Sequence, residues 1–356
     1  MIYGGLYEEY GTPFTGRRRE KLIRFLEEAG LSYDETIEYS ITLVDDEGTI
    51  AAAGSVSGNV LKCIAVADDY QGEGLSATIV TALTKYVFEH GQNHLFLFTK
   101  PKNFRMFSDL GFYRITETDT VLLMENRKNG IENFVRSLKE KSALQVMDFS
   151  EKNGRDPICG AIVANCNPFT LGHRYLIEKA LTECDLLHLF ILSEDRSEFS
   201  AKESFEMVKA GIRDLPRVIL HETSDYLISG ATFPTYFMKD KVRAQKANCE
   251  LDVRVFCEHF AGPLGITKRF AGTEPEDQVT NTYNETMREL LPEYGILFRE
   301  IERKRTCGKA GSVISAKTVR KFLGEGRFED LRAYLPESTI KFLSERQDVP
   351  NRPAAR

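Results

Sequence analysis

The sequence predicts an α/β protein of two domains, an α+β domain followed by a doubly wound parallel sheet. Three observations carry this reading. The 356 residues exceed what one ordinary core accommodates. From Ile158 onward, short apolar runs alternate with helix-like segments, as in a parallel sheet joined by crossover helices. Ahead of that region, the polar run Ser150-Glu151-Lys152-Asn153-Gly154-Arg155-Asp156-Pro157 reads as an exposed connection. The expected domains are therefore 1–149 and 150–347, with 348–356 a flexible tail.

The first domain opens with an amphipathic helix, marked by Leu22, Phe25 and Leu26 at helical spacing. Strands at Tyr39 to Val44 and Thr49 to Val56 follow, joined by the hairpin signal Asp45-Asp46-Glu47-Gly48. A strand at Val60 to Ala67 leads through Asp68-Asp69-Tyr70-Gln71-Gly72-Glu73-Gly74-Leu75-Ser76 into an amphipathic helix with Val80, Leu83, Val87 and Phe88 on one face. A strand at His94 to Thr99 comes next, then a short helix ending at Leu110-Gly111-Phe112, and the helix-like Ile131 to Ser142 closes the domain. Strand, glycine loop and helix in this order present backbone N–H groups to phosphate oxygens. The order resembles the GNAT acetyltransferase fold, whose Q/RxxGxG/A loop cradles the pyrophosphate of coenzyme A. Gln71, Gly72 and Gly74 match that loop, and Ser76 stands at its last small position. The segment Phe104-Arg105-Met106-Phe107-Ser108-Asp109-Leu110-Gly111-Phe112 resembles one found downstream in many such transferases. Many of them carry a tyrosine that protonates the leaving thiolate where Phe107 stands, and phenylalanine has no proton to give. The resemblance thus implies a domain that holds a CoA-like group rather than one that runs ordinary acetyl-CoA-dependent acetylation.

In the second domain, strands are expected near Ile158 to Ala164, Leu186 to Leu192, Arg217 to Leu220, Leu251 to Phe256 and Ile296 to Ile301. Ligands of such sheets lie at the carboxyl ends of the strands, where Asn165 to His173 falls. The run Asn167-Pro168-Phe169-Thr170-Leu171-Gly172-His173 suits a nucleotide triphosphate. The strand ends, Gly172 lets backbone approach a phosphate, and a helix start offers N–H groups and a positive dipole end. His173, in the first helical turn, is placed to donate to an α-phosphate as charge builds up. Farther on, Ser315 reads as an N-cap and Arg320 lies on the helix that follows, so a hydroxyl, amides and a guanidinium can meet the β- and γ-phosphates.

Thr170-x-Gly172-His173 resembles the (H/T)xGH signature of the Rossmann-like nucleotidyltransferase superfamily, whose members join a nucleotide α-phosphate to an acceptor and release pyrophosphate. Ile314-Ser315-Ala316-Lys317-Thr318-Val319-Arg320 resembles its ISSTxxR-like segment. Lys317 departs from that pattern, which leaves one hydroxyl contact to Lys317 or Thr318. Two other segments stand out. Phe270-Ala271-Gly272-Thr273-Glu274-Pro275 is expected to shape an adenosine pocket, and Ser229 to Tyr236 to form a loop over the triphosphate or an acyl group. For their individual residues, a plain turn and a packed aromatic loop stand as equal alternatives.

Composition bounds the partners. Hydrophobic residues make up 42% and charged residues 28%, as in globular enzymes. The net charge of −6 is interspersed along the chain, which argues against nucleic acid and anionic lipid as partners. No apolar run approaches the ~20 residues that span a bilayer, and the N-terminus lacks a signal-peptide pattern, so the expected compartment is cytoplasmic. The seven cysteines are scattered and odd in number, without zinc-ligand spacing. Cys159 and Cys166 flank the nucleotide strand and read as small buried hydrophobes.

Across nearly its whole length the chain resembles the citrate lyase ligase family, also called citrate lyase synthetases. That resemblance rests on the Asn167 to His173 run, Gly272 to Pro275 and Ile314 to Arg320, preceded by the GNAT-like domain. It implies that ATP and acetate acetylate the thiol of a CoA-derived prosthetic group on the acyl carrier subunit of citrate lyase, giving AMP and diphosphate. The implied site comprises His173, Thr170 and Arg320 for chemistry, with Asn167, Pro168, Phe169, Gly172, Gly272, Thr273, Glu274, Ile314 and Ser315 around ATP. Gln71, Gly72, Gly74 and Ser76 would take the prosthetic group, and Mg²⁺ would ride on the ATP phosphates rather than on protein ligands. Two alternatives stay open. One is transfer of AMP to a phosphorylated small molecule with a regulatory GNAT-like domain, and the other is a non-catalytic sensor of acyl-CoA and nucleotide.

Overall fold

A computed structural model describes residues 5–192, 198–227, 241–274, 278–306 and 311–345. The expected loop at Ser229 to Tyr236, Pro275, Cys307 and the tail at 348–356 lie outside the described residues. The chain forms two compact units, 1–131 with 232–254, and 132–231 with 255–356.

The first unit carries a seven-stranded sheet in the order β1-β2-β3-β4-β5-β7-β6. Its elements are β1 (Tyr7–Gly11), α1 (Gly16–Glu28), β2 (Tyr39–Val44), β3 (Ile50–Ser57), β4 (Val60–Val66), α2 (Leu75–Glu89), β5 (Phe96–Thr99), α3 (Phe104–Asp109), β6 (Tyr113–Glu117) and β7 (Leu122–Glu125). Leu22, Phe25 and Leu26 are the buried stripe of α1, as their spacing predicts. The β2–β3 hairpin closes because Asp45 Oδ1 accepts from the Glu47 and Thr49 amides at 3.0 and 2.8 Å, while Gly48 takes a left-handed φ of 76°. One core joins Ile41, Leu43, Ala52 and Leu61 of the sheet to Ile79, Leu83 and Val87 of α2. β4 and β5 pair in parallel only at Val60↔Phe96 and Leu61↔Leu97, although β4 continues to Val66 and β5 to Thr99. β1, β6 and β7 are strands of four or five residues, too short to show periodicity in the sequence.

The second sheet has five strands in the order β10-β9-β8-β11-β12, every pair parallel. The remaining elements are α4 (Gly130–Asn153), β8 (Cys159–Ala164), α5 (Leu171–Ala180), β9 (Leu186–Ile191), α6 (Ala201–Gly211), β10 (Val218–Glu222), α7 (Lys241–Val255), β11 (Ile266–Gly272), α8 (Gln278–Leu290), β12 (Leu297–Ile301), α9 (Ala316–Gly324) and α10 (Glu337–Glu345). This is the doubly wound sheet expected from the alternation. One side packs Leu187, Leu189, Ile191 and Phe270 with Ile177, Met207, Val319 and Leu323. On the other, Phe190 meets Phe256 and Phe260 edge-on, and the buried His188 and His221 share a 2.9 Å bond.

Two expectations differ from what forms. Leu251–Phe256 is not a strand: α7 runs through Val255, and Ala244, Ala247, Leu251 and Val255 are buried at helical spacing, which overrides the local alternation Leu251, Val253, Val255. The fourth strand is instead β11, whose Lys268 and Arg269 disguise it as a loop entrance. The polar run from Ser150 begins as the last turn of α4, which continues well past Ser142. Residues 132–149 pack with the second unit, where Phe134 lies 5.3 Å from Tyr226 and 6.2 Å from Phe260.

Candidate functional site

In the second sheet, strand order reverses between β8 and β11, so their carboxyl ends bound the crevice where such folds take ligands. The loop leaving β8 turns at Cys166, whose backbone is left-handed (φ 49°), and passes a cis Asn167–Pro168 peptide. Thr170 then caps α5. Its hydroxyl accepts from the His173 amide at 3.3 Å, and its own amide donates to His173 Nδ1 at 3.1 Å. Because Nδ1 accepts, the neutral ring carries its proton on Nε2. Burial, reinforced by the charges of Arg303 and Arg320, pushes the imidazole down to about 4. At neutral pH His173 is therefore an uncharged donor through Nε2.

The predicted site residues divide into supports and open groups. Asn167, Pro168, Phe169 and Thr170 are buried and form the underside of the loop. The Phe169 ring lies 6.0 Å from the imidazole and nearly parallel to it, with no room left for a side chain at Gly211 beneath. Asn167 Nδ2 donates to the Phe199 carbonyl at 2.7 Å and to Ser204 Oγ at 3.0 Å. Thr170 thus holds His173 in place instead of facing the crevice. At the start of α5, Leu171 N–H donates to the Tyr334 carbonyl at 2.8 Å and His173 N–H to Thr170. That leaves the Gly172 N–H without a partner among the described residues.

The second motif meets the first directly. A Cβ at Gly172 would come 2.9 Å from the Ile314 carbonyl oxygen, so glycine here permits the contact between motifs. Ser315 caps α9, accepting from the Thr318 amide at 3.1 Å, and its hydroxyl lies 2.8 Å from Thr318 Oγ1. Thr318 therefore supplies the second hydroxyl at this helix start, while Lys317 is exposed. The Ala316 and Lys317 amides have no partner among the described residues. Arg320 Nη1 donates to the Asn167 carbonyl, tying the second motif to the loop of the first.

Across the crevice, Thr273 N–H donates to the Ile301 carbonyl at 3.0 Å, joining the loops that follow β11 and β12. Glu274 pairs with Arg303. The buried Asn284 of α8 holds the Gly272 carbonyl at 3.0 Å and Glu300 Oε1 at 2.9 Å. The sequence assigns no role to Arg303 or Asn284. Arg303 sits in the charged run Glu302-Arg303-Lys304-Arg305, which has no motif spacing; its one signal was its place just past a strand end. The open amides, hydroxyls and guanidinium N–H groups at these strand and helix ends are a donor set that fits phosphate oxygens. Among the described residues no three His, Cys, Asp or Glu side chains are grouped to hold a metal ion.

In the first unit, Gly72 (φ 89°) and Gly74 (φ 78°) both take left-handed backbone, and Gly74 is the N-cap of α2. Only glycine adopts this pair of conformations without cost. Gln71, Gly72 and Gly74 are exposed and Ser76 half-buried, with Gln71 Nε2 donating to Asp68 Oδ1 at 2.7 Å. Phe107 is buried against Phe112, edge to face at 6.4 Å. All six described cysteines are buried, and desolvation pushes the Cys159 thiol up to about 11 and that of Cys63 to about 12. Neither is poised as a nucleophile. Among the described residues no helix is long and apolar enough to cross a membrane.

Comparison with known proteins assigns both units. Residues 4–114 match the acetyltransferase (GNAT) family and residues 159–343 the citrate lyase ligase C-terminal domain. A [citrate [pro-3S]-lyase] ligase of Haemophilus influenzae is 39% identical over 337 residues, covering 92% of this chain and 96% of that one. Its counterpart in Klebsiella pneumoniae is 39% identical, covering 92% of both chains. That of Escherichia coli is 37% identical, covering 92% of this chain and 90% of the relative. With near full-length matches at this identity and the characteristic second domain, the chain belongs to the citrate lyase ligase family.

Proposed function

We propose that this protein is a ligase that activates citrate lyase by acetylating it, in two steps. Acetate first attacks the α-phosphorus of ATP, forming acetyl-adenylate as the bond to diphosphate breaks. The thiol of a CoA-derived prosthetic group on the lyase's acyl carrier subunit then attacks the acetyl carbonyl and expels AMP. What supports the first step above all is the His173 geometry: a neutral imidazole, locked through Nδ1, whose Nε2–H has no partner among the described residues. A donor of this kind stabilises charge on the α-phosphate in the transition state without having to lose a proton.

Acetate brings its own charge, since such carboxylic acids ionise near about 4 to 5, and the step requires no protein base. Positioning and charge neutralisation dominate, as in other phosphoryl-group chemistry. Gly172, Ala316 and Lys317 offer amides, Ser315 and Thr318 hydroxyls, and Arg320 a guanidinium to the phosphates. Mg²⁺ would be held by the phosphates themselves, where it would neutralise charge. In the first unit, the turn from Gln71 to Ser76 and the diverging ends of β4 and β5 suit the pyrophosphate and extended arm of the prosthetic group.

The test is isotope exchange between pyrophosphate and ATP, with acetate, nicotinamide mononucleotide or phosphopantetheine supplied separately and the lyase left out. Acetate-dependent exchange is the expected result, reduced about 10²-fold or more by His173→Ala. Exchange only with a phosphorylated acceptor would identify an AMP transferase instead. ATP binding with no exchange, and no acetylation when the lyase's thiol form is added, would leave a nucleotide sensor.

A further inference from the structure

The proposed adenylation brings together two anions, a triphosphate and a carboxylate, and the signature motifs supply a cation only for the first. A second guanidinium stands beside the site. Arg303 follows β12 by two residues, and Lys304 next to it accepts through its carbonyl from the Ile314 amide at 3.0 Å. Ile314 in turn abuts Gly172. Arg303 is thereby fixed by backbone contacts to the helix start that carries His173, and its charge, like that of Arg320, presses on the imidazole.

The surroundings of Arg303 match a small carboxylate. Glu274 pairs with the guanidinium at Nη2, and among the described residues no hydrogen bond engages Nε or Nη1, which are open to a further ligand. The side chain keeps 30% of its surface open to solvent. Gly272 borders the Nε edge: a Cβ built there would lie 3.7 Å from both Nε and Cγ of Arg303, filling the adjoining space without a clash. Asn284, holding the Gly272 carbonyl, fixes this wall of the crevice. The other basic groups of the same run are otherwise engaged. Lys304 Nζ lies over the Tyr175 ring, and Arg305 Nη1 donates to the Gly311 carbonyl at 3.3 Å.

We infer that Arg303 is the carboxylate-binding residue of the site, seating acetate on the guanidinium edge beside Gly272, with Glu274 orienting the guanidinium. The inference rests on the adenylation proposed above. In the step itself, a carboxylate oxygen held at Arg303 forms the new bond to the α-phosphorus, and the bond to diphosphate breaks with its electron pair. No proton moves. Arg320 serves the triphosphate and Arg303 the acceptor, so the two like-charged reactants approach each other between opposite charges.

The experiment measures the acetate and ATP concentration dependence of pyrophosphate exchange in wild type, Arg303→Gln, Arg303→Lys and Gly272→Ala. Alongside it, line broadening of [2-¹³C]acetate by each protein in the presence of α,β-methylene-ATP reports acetate binding without turnover. Arg303→Gln is expected to raise the acetate KM at least tenfold and abolish the broadening, with the ATP KM within twofold. Arg303→Lys restores part of the acetate binding. Gly272→Ala, whose backbone needs no left-handed angle, raises the KM for propionate more than that for acetate. A rise in the ATP KM with acetate unaffected would make Arg303 a phosphate ligand and overturn the assignment, as would undiminished broadening by Arg303→Gln. Retained ATP binding by each variant, read by equilibrium dialysis, excludes misfolding as the cause. If wild type broadens acetate through Arg303 yet supports no exchange, the adenylation step falls and the carboxylate site stands.

Discussion

Gly172→Ala separates the two roles a motif glycine can play. The added Cβ would lie 2.9 Å from the Ile314 carbonyl oxygen, a backbone atom whose residue is itself held by the Lys304 carbonyl. Ordinary contacts lie near about 3.5 Å, so the start of α5 and the second motif must move apart by about 0.5 Å. A misplacement of about 1 Å costs roughly 10²-fold in rate, so this shift is worth about tenfold in acetate-dependent exchange. Stability moves little, because alanine gains up to about 1 kcal/mol over glycine in a helix and offsets the strain. Steady-state exchange and urea unfolding on the same samples read the two effects. Exchange at the wild-type rate in a stably folded variant would refute the claim that Gly172 sets the distance between the motifs.

Other perturbations have defined outcomes. Thr170→Val removes the cap hydroxyl and should lower stability by about 1 kcal/mol; exchange turnover falls while the ATP KM holds, and Thr170→Ser restores it, whereas an increase in the ATP KM alone would place Thr170 on the nucleotide. Burial pushes His173 and His188 down to about 4 and His221 to about 3. Their folded values lie below the unfolded value near about 6.5, so the stability they contribute is complete above that pH and is lost as pH falls toward 4. Urea midpoints should drop between pH 7 and pH 5, with a steepest slope of up to about 4 kcal/mol per pH unit if all three titrate together; a flat profile contradicts the buried neutral forms. Gly74→Val forces a β-branched residue into left-handed backbone. Acetylation of the carrier thiol should fail while acetate-dependent exchange persists, and equal loss of both would deny the loop a separate role.

Much of this was legible in sequence where a residue's role is local. Asp45 to Gly48 specify their hairpin, Gly72 and Gly74 their loop, and Ser315 the cap of α9, whereas Thr170, expected in the chemistry, shows its role as the cap of α5 only in the fold. Roles that depend on distant partners were not legible. Leu251 to Phe256 alternate like a strand, and only the helical burial of Ala244 and Ala247 upstream decides against it. β11 carries Arg269 turned onto the face of Phe256 at 4.2 Å, a cation–π contact that makes a charged residue tolerable inside a sheet. Arg303 has no neighbours in sequence that mark it; what selects it is Glu274 and Gly272, about thirty residues earlier, on the adjoining strand end.

The departure of Lys317 from the motif fits the same physics. The two signature segments are joined at two backbone carbonyls: that of Ile314 abuts Gly172, and that of Asn167 accepts from Arg320. At the start of α9 the groups without a partner among the described residues are the amides of Ala316 and Lys317, and any residue but proline supplies an amide. Side-chain identity matters there only at Ser315, the cap, and at Thr318, whose hydroxyl stands beside it. A lysine at the position that the motif gives to a hydroxyl residue thus removes no donor from the helix start, and its exposed ammonium adds charge of the sign that phosphates attract. The constraint falls instead on glycine at 172, where backbone meets backbone and no side chain can yield.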